Sequence, residues 1–191
     1  MESEVTHDSG INAALMKKWI ITRFGEGKLE SILSELSAEA GTMLEKPSPN
    51  EWYPAHLLTE IYLVAHKQLG KDNPRILLEY GRFAAEESTS SLLRYLVRFI
   101  SMDTAINRMR AFWKHYHKGG EIKAKEMDEI AGRKRRLISI SGYFPGEPGC
   151  QVQEGYFLYI AEKTGVSKPR VEKKTCVYHG DSCCSWEVSW E

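Results

Sequence analysis

A chain of 191 residues with 26 basic and 26 acidic side chains has no net charge, so no global field draws it to nucleic acid or to an anionic membrane. Its length suits one well-cored domain rather than two, and no apolar run approaches the roughly 20 residues of a membrane span. The first residues are acidic (Glu2, Glu4, Asp8) instead of basic, and the four cysteines, with Cys183 and Cys184 adjacent, do not form the disulfide framework of a small secreted protein, so a cytoplasmic protein with reduced thiols is expected.

Residues 1–9 are polar and expected to be disordered. From Gly10 the spacing turns helical. Ile11, Leu15, Trp19 and Phe24 give a broad apolar face that Gly25-Glu26-Gly27 ends, and Leu29, Ile32, Leu33 and Leu36 mark a short second helix. Pro47-Ser48-Pro49-Asn50 is a loop whose Asn50 can cap a third helix, opened by Trp52-Tyr53-Pro54, carried by Leu57, Leu58, Ile61, Ala65 and Leu69, and stopped by Gly70. Pro74 suits the first turn of a fourth helix bearing Ile76, Leu77, Tyr80, Phe83 and Ala84. Gly81 inside that helix costs about 1 kcal/mol against alanine, which points to a close backbone approach. Residues 92–100 form a short apolar segment, and Ser101-Met102-Asp103 caps a helix through Ile106, Met109, Phe112, Trp113 and Tyr116 that Gly119-Gly120 closes.

Here the period changes from 3.6 to 2. Glu121–Ile130 alternates, Ala131-Gly132-Arg133 is a turn, and residues 137–141 make a second strand. Val152, Tyr156, Tyr159 and Ile160 carry one more helix, and residues 170–178 and 183–190 are the last two strands. The result is one α+β domain over residues 1–191, with a helical half at 10–118 and a sheet half at 121–190 whose two hairpins share one antiparallel sheet. Arg133-Lys134-Arg135-Arg136 is the one dense basic run. It sits at a β-turn without stacking aromatics or a groove-reading helix, so it reads as a solvated hairpin tip and not as a nucleic-acid site.

The sharpest local signal is the terminal hairpin. A turn at Gly180-Asp181 places Cys176 and Cys184 symmetrically, so the two thiols face each other across the strands. Such a pair could bind a metal, oxidise or simply pack under Trp186. Cys176 and Cys184, with Cys150, His179 or Cys183 as further soft ligands, are the candidate zinc site, although the chain has no C-x-x-C and no second pair at ligand spacing. Cys183 and Cys184 point to opposite faces of a strand, so both reach one ion only if the turn distorts.

Trp52-Tyr53-Pro54, Gly81-Arg82-Phe83, Trp113 to Tyr116 ahead of Gly119-Gly120, and Cys176-x3-Gly-Asp-x2-Cys184-x-Trp-x-Val-x-Trp190 together resemble a bacterial family related to the 4-vinyl reductase domain and, more distantly, to heme-NO-binding (H-NOX) and TRAPP domains. The resemblance covers the chain from about Gly10 to Trp190. It implies helices packed on a four-stranded antiparallel sheet, a cavity between them for a small apolar or flat ligand, frequent dimerisation, and a sensory or scaffolding role. The resemblance concentrates at Tyr80, Phe83, Phe112, Trp113 and Tyr116, which makes these the candidate cavity residues. H-NOX domains hold heme with a helical histidine and a Tyr-x-Ser-x-Arg run. That run does not occur here, and His56, His66, His115 and His117 sit in no pocket motif, so heme is not expected.

No phosphate loop, nucleophile elbow or His-Glu-x-x-His is present, and adjacent Glu86 and Glu87 cannot face one another on a helix. The resemblance and the aromatic helices together imply a non-catalytic small-molecule-binding sensory domain, acting through a homodimer or a protein partner. The alternatives are an adaptor without ligand and an enzyme acting on a tetrapyrrole or aromatic compound.

Overall fold

In the computed structural model, which describes residues 4–89 and 101–191, the first half of the chain runs β1 (His7–Ser9), α1 (Gly10–Phe24), α2 (Glu26–Leu33), α3 (Ala38–Glu45), β2 (Trp52–Pro54), α4 (Ala55–Leu69) and α5 (Ile76–Ser88). The second half runs α6 (Met102–Tyr116), β3 (His117–Lys118), β4 (Glu121–Ile130), β5 (Arg133–Ser141), α7 (Gly149–Lys163), β6 (Arg170–Thr175) and β7 (Cys184–Trp190). The expected apolar segment at 92–100 lies outside the described residues. The domain is α+β as expected, and its two hairpins join in one antiparallel sheet of order β4-β5-β7-β6.

The N-terminal stretch differs from expectation. Residues 7–9, predicted to be disordered, form β1 between β2 and β3, with Asp8 opposite both Tyr53 and His117. Strands on both sides take up the backbone groups of this polar segment, and Ser9 then caps α1. Trp52-Tyr53-Pro54 correspondingly forms β2 and does not open a helix. Helix α4 starts behind Pro54 with no side-chain cap, so Asn50 does not play that part. Helix α3 was not anticipated. Its signals are Ser37, whose Oγ accepts from Ala40 N at 3.3 Å, and the buried trio Ala40, Met43 and Leu44.

Two apolar cores result. One lies within the helical half around Trp19, Ile20, Leu44, Ile61, Leu77 and Tyr80. The other joins α7 to the inner face of the sheet through Phe157, Ile138, Ile140, Trp186 and Val188. Helices α5 and α7 connect the two, and glycines make their contact possible. A Cβ on Gly81 would stand 2.1 Å from the Val152 carbonyl oxygen, and one on Gly155 would stand 2.1 Å from that of Leu78. The close approach inferred at Gly81 is thus a helix crossing.

The basic run is not a solvated tip. Arg135 Nε and Nη2 donate to both oxygens of Glu187 at 2.9 and 2.7 Å, Arg133 pairs with Glu191, and Arg136 pairs with Asp103 and Glu126. Strand alternation explains the difference. Only the turn at Ala131-Gly132 is free, and the arginines after it already belong to β5, where cross-strand acids meet them.

Candidate functional site

Helices α1, α5, α6 and α7 and the inner face of the sheet enclose a cavity of about 160 Å³. Its wall is mostly apolar and aromatic, including Leu15, Met109, Phe112, Trp113, Ile138 and Phe157. Four of the five predicted cavity residues lie in this wall: Tyr80, Phe112, Trp113 and Tyr116. Phe83 lies outside it and packs half-buried against the helical core. It sits three residues along α5 from Tyr80, and the cavity wall on that helix is formed by Tyr80, Ala84 and Ser88.

Among the polar groups in this wall, Asn12, Ser88 and His117 are the ones whose surroundings bear on a ligand. Asn12 accepts the Tyr80 hydroxyl on its backbone oxygen at 3.0 Å, while its side-chain Nδ2 is buried without a hydrogen-bond partner. Ser88 Oγ is buried with no well-formed hydrogen bond, beside the Tyr116 and Tyr156 phenols, whose pKa values burial raises and interaction with Ser88 partly offsets. His117 is the third. Its Nδ1 donates to the buried Asp8 carboxylate in a short hydrogen bond, and its ring lies 4.1 Å from Trp113 and 4.8 Å from Tyr143. A carboxylate on Nδ1 fixes the tautomer and ring orientation and leaves Nε2 as the remaining polar atom. Trp113 is itself anchored, its indole N–H donating to the Gly119 carbonyl at 2.9 Å.

A second constellation lies where the N-terminus of α7 meets β7. Cys150, Cys176 and Cys184 are all buried, and their sulfurs lie within 4.8 Å of one another. The Cys150 and Cys184 sulfurs are 3.7 Å apart. The turn does bring Cys176 and Cys184 together. Asp181 organises it by accepting the Cys176 N–H at 2.7 Å, and Gly180 takes the left-handed φ of 92° that the turn requires. Cys183 is half-exposed and outside the cluster, and His179 is exposed and bonded to Glu147.

One more residue belongs here. In β6, Lys173 is the cross-strand neighbour of Trp186, so alternation turns it onto the core face. Its Nζ is buried with no well-formed hydrogen bond and stands 4.6 Å over the Trp186 ring. Burial alone would lower the lysine pKa, but the Cys150 thiol and the charge of the neighbouring sulfurs outweigh it and raise it. Cys184 is shifted down by the hydrogen bond from Cys150, against burial and with help from the Val177 N–H and the Lys173 charge. Cys150 is shifted up by that same bond and by burial. The pair thus shares one readily lost proton between the two sulfurs.

No family model matches the chain, and no curated protein matches it. Solved structures do share its fold. The H-NOX protein of Shewanella oneidensis in the Fe(II)NO ligation state superposes with a TM-score of 0.69 at 13% identity, covering 96% of this chain and 99% of that one. The Fe(II) unliganded H-NOX protein of K. algicida gives 0.70 at 10% identity and 96% of both chains. A structure described for heme redox potential and porphyrin distortion gives 0.62 at 12% identity, covering 95% of this chain and 98% of that one.

The residues present do not fit a heme. The cavity of about 160 Å³ is smaller than the roughly 300–1,000 Å³ of sites for drug-sized ligands, and a porphyrin is larger than such ligands. Among the described residues its one lining histidine is His117, whose ring packs against Trp113 and Tyr143 at 4.1 and 4.8 Å.

Proposed function

We propose that this protein is a non-catalytic sensory domain that binds one compact, flat and mostly apolar molecule with a hydrogen-bonding group in the cavity between helices and sheet. The observation that carries the reading is the apolar cavity of about 160 Å³ with Asn12 Nδ2 buried and unpartnered in its wall. An apolar cavity of about 150 Å³ stays dry and takes up a benzene-sized ligand. A buried donor without a partner costs about 1–3 kcal/mol, so a ligand that supplies the partner regains that energy on binding. The H-NOX structures of the same fold carry Fe(II) with NO or none; here the ligand class is a single ring with a polar substituent. The cavity wall includes α6, which buries only Met102 and Trp113 of its own residues. Occupancy would bias this helix between two positions and so alter a dimer or partner interface, as a ligand with different affinity for two states does.

Thermal unfolding with p-cresol and with toluene tests the reading. Stabilisation by p-cresol should exceed that by toluene, and Asn12→Leu should remove the difference. If neither compound shifts the midpoint at millimolar concentration, the reading fails.

A further inference from the structure

A protonated amine buried among thiols calls for negative charge, because an ammonium withdrawn from water costs several kcal/mol unless it is paired. The groups whose charges act on Lys173 are the sulfurs of Cys150, Cys184 and Cys176, with the Trp186 face beneath. The sulfurs have the complementary need. Three thiols within 4.8 Å of one another cannot all ionise without a cation in their midst. In a structural zinc site that cation is the metal, and a fourth Cys, His or carboxylate closes the tetrahedron. Here β6 presents a lysine at the inward position opposite Trp186. While protonated it has no lone pair to offer a metal, and its charge repels one.

We propose that Lys173, Cys150 and Cys184 form an ammonium-thiolate site that excludes divalent metal and makes the Cys150–Cys184 pair the reactive thiols of this protein, closing to a disulfide on reaction with a small hydroperoxide. The two sulfurs stand 3.7 Å apart and both are buried. In the first step the ionised thiol of the pair attacks one oxygen of hydrogen peroxide; an S–O bond forms, the O–O bond breaks, and hydroxide leaves. In the second the other thiol attacks that sulfur, an S–S bond forms, the S–O bond breaks, and the departing hydroxide and the thiol proton leave as water. With a proton returned to the first hydroxide, two cysteines are oxidised and one peroxide is reduced to two waters, as for one protonated and one ionised thiol plus a proton. Burial of both thiols restricts the reaction to small neutral oxidants. The disulfide would tie the start of α7 to β7. Because α7 also supplies Val152, Tyr156 and Phe157 to the cavity wall, oxidation would be felt there, but the proposal stands without any cavity ligand.

The test uses the full chain, reduced and then dialysed against equimolar zinc. The wild type should retain less than a tenth of an equivalent of zinc. On treatment with hydrogen peroxide its intact mass should fall by two hydrogens, with a Cys150–Cys184 cross-link on peptide mapping. Lys173→Met should raise the midpoint of the pH–rate profile by about one unit or more, as loss of a neighbouring cation does, and slow the reaction about tenfold at pH values below that midpoint. Lys173→Glu, which removes the cation and adds a ligand, should bind one zinc per chain. Cys183→Ser should react as the wild type does. One tightly held zinc in the wild type overturns the proposal, as do four unreacted thiols after peroxide. Should the Lys173 variants fail to fold by circular dichroism, those two wild-type measurements still decide it.

Discussion

The cavity and the cysteine cluster are both built on α7 and the inner face of the sheet, yet they treat polar groups in opposite ways. The cavity leaves Asn12 Nδ2 without a partner and Ser88 Oγ without a well-formed hydrogen bond inside an apolar wall. In the cluster the buried charge of Lys173 is answered from within by the sulfurs. Unmet polar groups invite a ligand, whereas a lysine already among three thiols removes the reason for a metal. The comparison teaches that a group of ligand-type residues is not a metal site until the charge at its centre is known.

The perturbation with the largest expected effect strikes the element that both sites share. Gly81→Ala puts a Cβ 2.1 Å from the Val152 carbonyl oxygen and should cost about 3 kcal/mol in chemical denaturation, with loss of both cresol binding and cysteine proximity. If the stability stays unchanged, the crossing is looser than the glycine pair implies. Next is Asp8→Ala, which leaves the buried His117 Nδ1–H without its acceptor. It should cost about 1–3 kcal/mol and weaken cresol binding, while the peroxide reaction at the Cys150–Cys184 pair proceeds as before.

Ala105→Phe separates the two regions most cleanly. It fills space in the cavity wall and should abolish ligand stabilisation while leaving the rate of Cys150–Cys184 cross-linking within about twofold, since distant independent sites behave additively. Loss of both would merge the regions into one. The smallest effect concerns the outer face of the sheet. The Arg135 hydrogen bond holds the Glu187 carboxyl below the ordinary glutamate range, against burial and with help from Lys174. A depressed carboxylate contributes stability that is present above its unfolded pKa and lost as pH falls through the folded one. Arg135→Leu should therefore flatten the loss of stability below pH 4.5 without touching either buried site, as urea midpoints measured against pH would register.

Much of the fold was legible because it rests on periodicity. Ile11, Leu15 and Trp19 mark α1. The tight hairpin expected at Gly180-Asp181 between strands 170–178 and 183–190 is instead a longer link, because β6 ends at Thr175 and a 3-10 turn at Val177–His179 precedes Gly180. Cys176 and Cys184 meet all the same. What escaped was carried by tertiary pairing. His7-Asp8-Ser9 has no apolar alternation and becomes a strand only because β2 and β3 flank it. Phe83 shares a helix with Tyr80 but faces elsewhere, a matter of helix rotation that a 13-residue segment rich in apolar side chains does not reveal. Lys173 was within reach of the sequence, since Val171, Lys173 and Thr175 alternate and Val171 lies opposite Val188. A lysine on an inward strand position is the kind of local conflict that marks a functional site. Asn12 gave no such sign, because its meaning lies in the partner it lacks.

Native mass spectrometry of the freshly purified protein tests most directly whether the cavity is a ligand site. The account predicts a small organic molecule bound at up to one per chain and released on denaturation, or, if the chain emerges empty, uptake of one p-cresol that Ala105→Phe prevents. An empty chain that takes up no p-cresol, or an Ala105→Phe variant that binds it as the wild type does, would contradict the account.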